Sequence, residues 1–322
     1  MKRTFFYACF LIISAAMIII SCDNGQKRIT DRTDTTTSGA MLFASDESFS
    51  PIVEEERKQF EFLYPKAHVI PFYTDDIDGF EQLISGKVPL YFSSRELTHS
   101  ESNHIEVTLD VKPRTYHIAY DGITFIVNRA NTDTCISVKD VKRVLSGEAT
   151  NWNQIVKGST RGEIEVVFDN KQSATLHYCV DSILGGQPIN SPNIVAAKTS
   201  QGVIDYVEET PNAIGVIGSN WVMDHRDPTH LTFKMNIQVM SVSPDDVATP
   251  YNSYKPFQAY ILDGHYPFAR AIYAILVDPG FRLPRGFVEY CDSPEGQTIV
   301  LRSGLLPYRG DIELKKMDIK RQ

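Results

Sequence analysis

After Ala40 the chain alternates short apolar runs with helical patterns. Met41-Leu42-Phe43-Ala44 reads as a strand. Pro51 to Tyr64 reads as a helix, with Ile52, Val53, Phe60 and Leu63 on one side and Pro51 just inside its start. His68 to Tyr73 is a second strand, Gly79 to Ser85 lies in a helix, and Val88 to Phe92 is a third strand. This β-α-β-α-β order predicts a mostly parallel sheet with both faces covered. Tyr116 to Asn128 is a long β-type run, and Val138 to Leu145 is helical behind the N-cap candidate Ser137. Ile164 to Phe168 is a strand that leads into a helix over Ala174 to Leu184. Gln201 to Glu208 is helical, Ala213 to Ile217 is a strand, and Thr232 to Val242 is β-like. Ala269 to Val277 is a further strand, and helical segments near 283–291 and 294–302 close the pattern. Two α/β lobes fit it, one from 40–115 with 256–322 and one from 116–255.

The N-terminus follows a different rule. Lys2 and Arg3 precede a nearly unbroken apolar stretch from Phe5 to Ile20, followed by Ser21, Cys22 and a polar segment. A charged start, an apolar centre and a small residue before the break read as a secretory signal over residues 1–21. The ending Ile19-Ile20-Ser21-Cys22 resembles a bacterial lipobox, with Ile where Leu is usual. The resemblance implies cleavage before Cys22, acylation of its sulfur, and a body held outside the cytoplasm. The competing reading is a short membrane anchor, which also places the body outside. Residues 22–39 are rich in Thr and Asp, lack apolar periodicity and read as a flexible tether.

Composition narrows the classes. In 322 residues there are 32 Lys and Arg against 40 Asp and Glu, a formal charge of −8. Loss of Lys2 and Arg3 with a cleaved leader takes it to −10. Hydrophobic residues at 42% and charged residues at 22% are globular values. The acidic balance argues against a nucleic-acid partner, which needs a basic footprint. Outside the leader and Cys22, three cysteines remain, Cys135, Cys179 and Cys291. Their spacing fits no metal motif and allows at most one disulfide.

In an open α/β sheet, ligands bind at the C-terminal ends of strands, beside helix starts. Three junctions carry suitable chemistry. Ser45 to Pro51 presents the hydroxyls of Ser48 and Ser50 and backbone N–H groups before the first helix, a setting for an anion or simply an N-cap. Ser93-Ser94-Arg95 follows the third strand, and the Arg95 fork suits a tetrahedral oxyanion or a surface ion pair. Asp169 to Thr175 places Ser173 and Thr175 at a helix entrance. Thr74-Asp75-Asp76 is a fourth, weaker candidate.

These segments, read in order, resemble the phosphate-binding proteins of phosphate ABC transporters, within the type II periplasmic binding proteins. The resemblance runs over about 40–310 through FSPIVEEERKQFEFLYP, LYFSSRELTHSE, IAYDGITFIVN, VKDVKRVLSGEATNWNQI, SATLHYCVDSIL, TPNAIGVIG and GQTIVLRSGLLPY. LSGEATNWNQI, with Trp152 after the Gly147 turn, is the most specific of them. The implied fold is α/β, with two lobes closing on a ligand cleft. The implied partners are inorganic phosphate or a similar oxyanion and an ABC permease, and a monomer without cofactor or catalysis is expected. The family's Thr-Phe pair falls on Ser48 and Phe49, and its second-strand serine falls near Thr74. Its Ser-Gly-Thr falls on Ser173, Ala174 and Thr175, with a methyl added close to the ligand.

Two positions depart. Arg95 follows Ser94 where the family has Asp, and Asp169 stands where it has Arg. The resemblance therefore implies an exchange in which Arg95 supplies the clamp and Asp169 the acceptor, favouring a protonated oxyanion over sulfate. The opposing reading is a cleft that has lost phosphate specificity, in a surface or signalling lipoprotein with another ligand or a protein partner. A hydrolase finds less support. None of the eight histidines lies in a Gly-x-Ser-x-Gly or His-Glu-x-x-His context, although Ser173 and His177 stand one helical turn apart.

Overall fold

A computed structural model describes residues 32–310 apart from 225–226 and 228–231. Cys22, the leader and most of the segment read as tether lie outside the described residues. The compact body begins at Asp34.

Strand β1 (Gly39–Asp46) runs into helix α1 (Ser50–Leu63), then β2 (Ala67–Thr74), α2 (Asp76–Ile84) and β3 (Leu90–Ser93). Pro51 opens α1, Pro65 follows it, and Ile52, Val53 and Phe60 form its buried side. Helix α3 (His99–Leu109) was not visible as periodicity, because Ile105 is its one buried residue. Its signal is chemical: Thr98 and Glu101 form a reciprocal capping box.

The long strand β4 (Arg114–Asn128) joins the two halves. It is followed by β5 (Cys135–Ser137), α4 (Val138–Ser146), β6 (Glu165–Phe168) and α5 (Ala174–Tyr178). The predicted helix to Leu184 holds its α-form only to Tyr178 and widens to a π-turn over Cys179–Ile183. Then come β7 (Ile194–Ala196), α6 (Ser200–Glu209), β8 (Ala213–Gly218) and α7 (Ser219–Val222). The β-like run 232–242 becomes two short strands, β9 (Ile237–Val239) and β10 (Ser241–Ser243). Helix α8 (Gln258–Leu262), β11 (Ala269–Leu276), α9 (Leu283–Cys291), α10 (Pro294–Arg302) and β12 (Leu306–Pro307) complete the described chain.

The main sheet runs β2-β1-β3-β11-β4-β8-β6-β7, with β9 and β12 also on β4, and β10 pairs with β5 separately. β1 is parallel to β2 and β3, and β6 is parallel to β7 and β8, as the alternating pattern requires. β11 and β4 run antiparallel between these two sets. Residues of β4 up to Gly122 pair with β11, and from Ile123 onward they pair with β8. The partner switch thus lies inside the lobe boundary read at 116.

One core gathers Phe43, Phe60, Phe92 and Phe287, and another gathers Phe125, Trp152, Phe168 and Phe268. Ile261, Tyr266 and Phe268, read as part of the first lobe, pack into this second core. The compact body also takes in residues 34–39, which the sequence pattern assigns to a tether. The Asp34 carboxylate accepts the Leu283 N–H at 3.0 Å, and a Cβ at Gly286 would strike the Thr36 carbonyl, so residues from 34 onward lie against the body. Cys135, Cys179 and Cys291 are three free thiols.

Candidate functional site

β1 and β6 deliver their C-terminal ends to a common point. Beyond β1, Ser48 and Phe49 are fully buried, and beyond β6, Asp169, Ser173, Ala174 and Thr175 are buried opposite them. Between them, β11 and β4 bring in a cation that the sequence reading did not select. The strand register sets Arg270 directly across from Asp121. Its guanidinium donates to Asp121 Oδ2 at 2.9 and 3.2 Å, to Ser48 Oγ at 3.1 Å and to Thr175 Oγ1 at 3.4 Å. It also lies 4.6 Å from the centre of the Phe49 ring. Asp121 is held in turn by the Ser219 N–H at 2.9 Å and hydroxyl at 2.7 Å. A side chain at Gly218 would meet both charges, since a Cβ there would lie 2.6 Å from Asp121 Oδ2 and 3.1 Å from Arg270. The backbone passes this pair only as glycine.

Arg95 does not join this cluster. Its guanidinium is bidentate to Glu101 at 2.9 Å, donates to the Glu96 carbonyl and stacks 3.5 Å from the Phe80 ring centre. That pair holds the Glu101 carboxyl down at about 2. The capping-box residue Glu101 thus ties Arg95 to the start of α3. Ser94 and Arg95 line a separate cavity of about 700 Å³ with Asp76, Phe80 and His177. Thr74 also turns away, donating to Asp78 at 2.7 Å.

Asp169 is buried with the Asn170 N–H on Oδ1 at 2.9 Å. Its Oδ2 has no hydrogen-bond partner among the described residues, and neither has the buried Asn220 Oδ1. Burial pushes the Asp169 carboxyl up to about 7, and the carboxylates of Asp46 and Glu47 push the same way. A raised carboxyl favours folding while it stays protonated. Its contribution is complete below the ordinary range near 4 and is lost as pH rises through about 7. The folded protein is therefore expected to lose stability across that interval, by at most about 1.4 kcal/mol per pH unit from this group. Asp169→Asn should flatten that slope in thermal melts recorded between these pH values.

The two halves meet through further polar contacts. The Ser48 carbonyl accepts from Asn220 Nδ2 at 3.1 Å and from the Trp221 indole N–H at 2.9 Å. His177 Nδ1 lies 3.1 Å from Asp76 Oδ2, and this contact raises the imidazole above its usual range. Ser173 Oγ accepts the Leu176 N–H at 3.1 Å as a helix cap, so His177 faces Asp76 and Ser173 serves its own backbone.

A buried guanidinium flanked by hydroxyls between two α/β lobes defines a two-lobe periplasmic-binding architecture. Residues 30–295 match the model of the PBP superfamily domain, and the chain belongs to that superfamily. It is similar to the phosphate-binding protein PstS of Staphylococcus haemolyticus, 21% identical over 319 residues and 96% of each chain. PstS 2 of Streptococcus agalactiae is 29% identical over 122 residues, 38% of this chain and 39% of its own. Among solved structures, a Clostridium perfringens protein crystallised with bound phosphate superposes with TM-score 0.69 at 20% identity, covering 84% of this chain and all of its own. An ABC-type phosphate transport receptor from Vibrio cholerae gives 0.61 at 18% identity, with the same coverage. The resemblance to phosphate ABC transporter binding proteins and the two-lobe α/β fold class both stand, and these relatives are binding proteins rather than enzymes.

Proposed function

We propose that this protein is an extracytoplasmic solute-binding protein that captures phosphate between its lobes and presents it to an ABC permease. The observation that carries the reading is Arg270, a buried cation reaching the hydroxyls of Ser48 and Thr175, residues contributed by opposite lobes. An oxyanion closing such a cleft gains charge-assisted hydrogen bonds from both sides. Once ionised, above about pH 7, Asp169 supports selection of a protonated oxyanion, because its unpartnered oxygen then needs a donor that sulfate lacks. Delivery follows if the permease recognises the closed form, so that ligand shifts the population it meets. A lipid on Cys22 is the proposed attachment, and the described residues contain no helix long and apolar enough to span a membrane.

Calorimetric titration of the body from about Ser38 would omit the Asp34 contact, so the tested protein should start at Asp23. After partial unfolding and dialysis to strip carried-over ligand, phosphate should bind and sulfate should not. Binding of both, or of neither, would sink the reading. In cells, Cys22→Ser should abolish incorporation of labelled fatty acid into the protein.

A further inference from the structure

The donors suited to a captured oxyanion are already engaged by the protein itself. Asp46 is buried at the end of β1. Its Oδ1 accepts the Ser48 N–H at 2.9 Å and the Ser48 hydroxyl at 2.5 Å. Its Oδ2 accepts the Ala174 N–H at 3.2 Å, from the opposite lobe. The same Ser48 hydroxyl accepts from Arg270. Two carboxylate oxygens thus take a hydroxyl and two backbone N–H groups, the contacts that two oxygens of a phosphate would make. The next residue repeats the arrangement. Glu47 reaches across the cleft to the Ser200 N–H at 3.2 Å and the Ser200 hydroxyl at 2.7 Å. Meanwhile Asp169 Oδ2, an acceptor, is left without a partner among the described residues.

We propose that Asp46 is the residue that sets affinity in this cleft, a tethered carboxylate standing where the oxyanion binds, which the ligand must displace. This rests on the phosphate reading above. Asp46 and Glu47 themselves bridge the lobes. Phosphate meets both the competition of the carboxylate for its donors and the repulsion of a like charge in a buried setting. The cleft is thereby set for high ligand concentrations rather than scavenging.

The test compares wild type, Asp46→Asn and Asp46→Gly by calorimetry with inorganic phosphate at pH 7.5. Thermal melts confirm that each is folded. Asn keeps the size and the Ser48 contact without the charge, and Gly vacates the position. Both should bind phosphate at least about tenfold more tightly than wild type, while Glu55→Gln, an exposed charge change on α1, should leave affinity unchanged. Variants that bind as wild type does, or more weakly, overturn the proposal and leave the phosphate reading intact. If neither wild type nor either folded variant binds phosphate at millimolar concentration, both fall together. Binding by the variants alone would overturn the phosphate reading for the wild-type protein, and with it the proposal that rests on it.

Discussion

Arg270→Met is expected to abolish phosphate binding and to cost about 3–5 kcal/mol of stability, because it strands the Asp121 carboxylate without its cation. Both side chains of that pair are about 1% exposed or less. The two effects separate in a double variant. Asp121→Asn in the Arg270→Met background removes the orphaned charge and keeps an acceptor for the Ser219 N–H. Most of the lost stability should return in urea melts, since neutralising both members of a buried pair costs far less than breaking it. Phosphate binding should not return, because loss of the guanidinium removes a charge-assisted partner worth roughly 2–5 kcal/mol. Recovery of binding in the double variant would remove Arg270 from the site.

The second large effect is structural and leaves the cleft chemistry intact. Trp152 is fully buried in the second core, and its indole N–H donates to the Asn212 carbonyl at 2.8 Å. Trp152→Ala should cost about 3–5 kcal/mol by opening a cavity in a close-packed interior. Trp152→Phe keeps most of the volume and loses the hydrogen bond, so its cost should be distinctly smaller. Denaturant unfolding reads both. Phosphate affinity of the folded fraction should change little, since the donors of the cleft come from other segments. A folded Trp152→Ala protein of wild-type stability would show that this core does not depend on the ring.

Arg95 and Arg270 show where the sequence was legible and where it was not. Arg95 sits at a strand end before a helix, the position a ligand-binding Arg would occupy, yet Thr98 and Glu101 spell a capping box that claims it. Arg270 sits inside ARAIYAILV, a run that reads as a buried strand. The signal available there was the charge itself. A lone Arg in a covered strand requires a partner, and the other long β run contains the lone Asp121. Asp46 and Glu47 stood in the first junction in plain view, but nothing local says that a carboxylate will turn inward onto the donors beside it.

The sequence by itself determined the alternation of strands and helices. It also determined the hydroxyls of Ser48, Ser173 and Thr175 at helix starts, because pattern and capping are local properties of a few adjacent residues. Only the tertiary structure decided which cation occupies the cleft. That choice depends on the antiparallel register of β11 on β4, on a glycine at 218 that leaves room for both charges, and on Glu101 holding Arg95 elsewhere. Each is a contact between residues distant in the chain, or a competition for one side chain. Such outcomes follow from the geometry of the assembled fold, where a shift of one residue in register would turn Arg270 to the other face of the sheet.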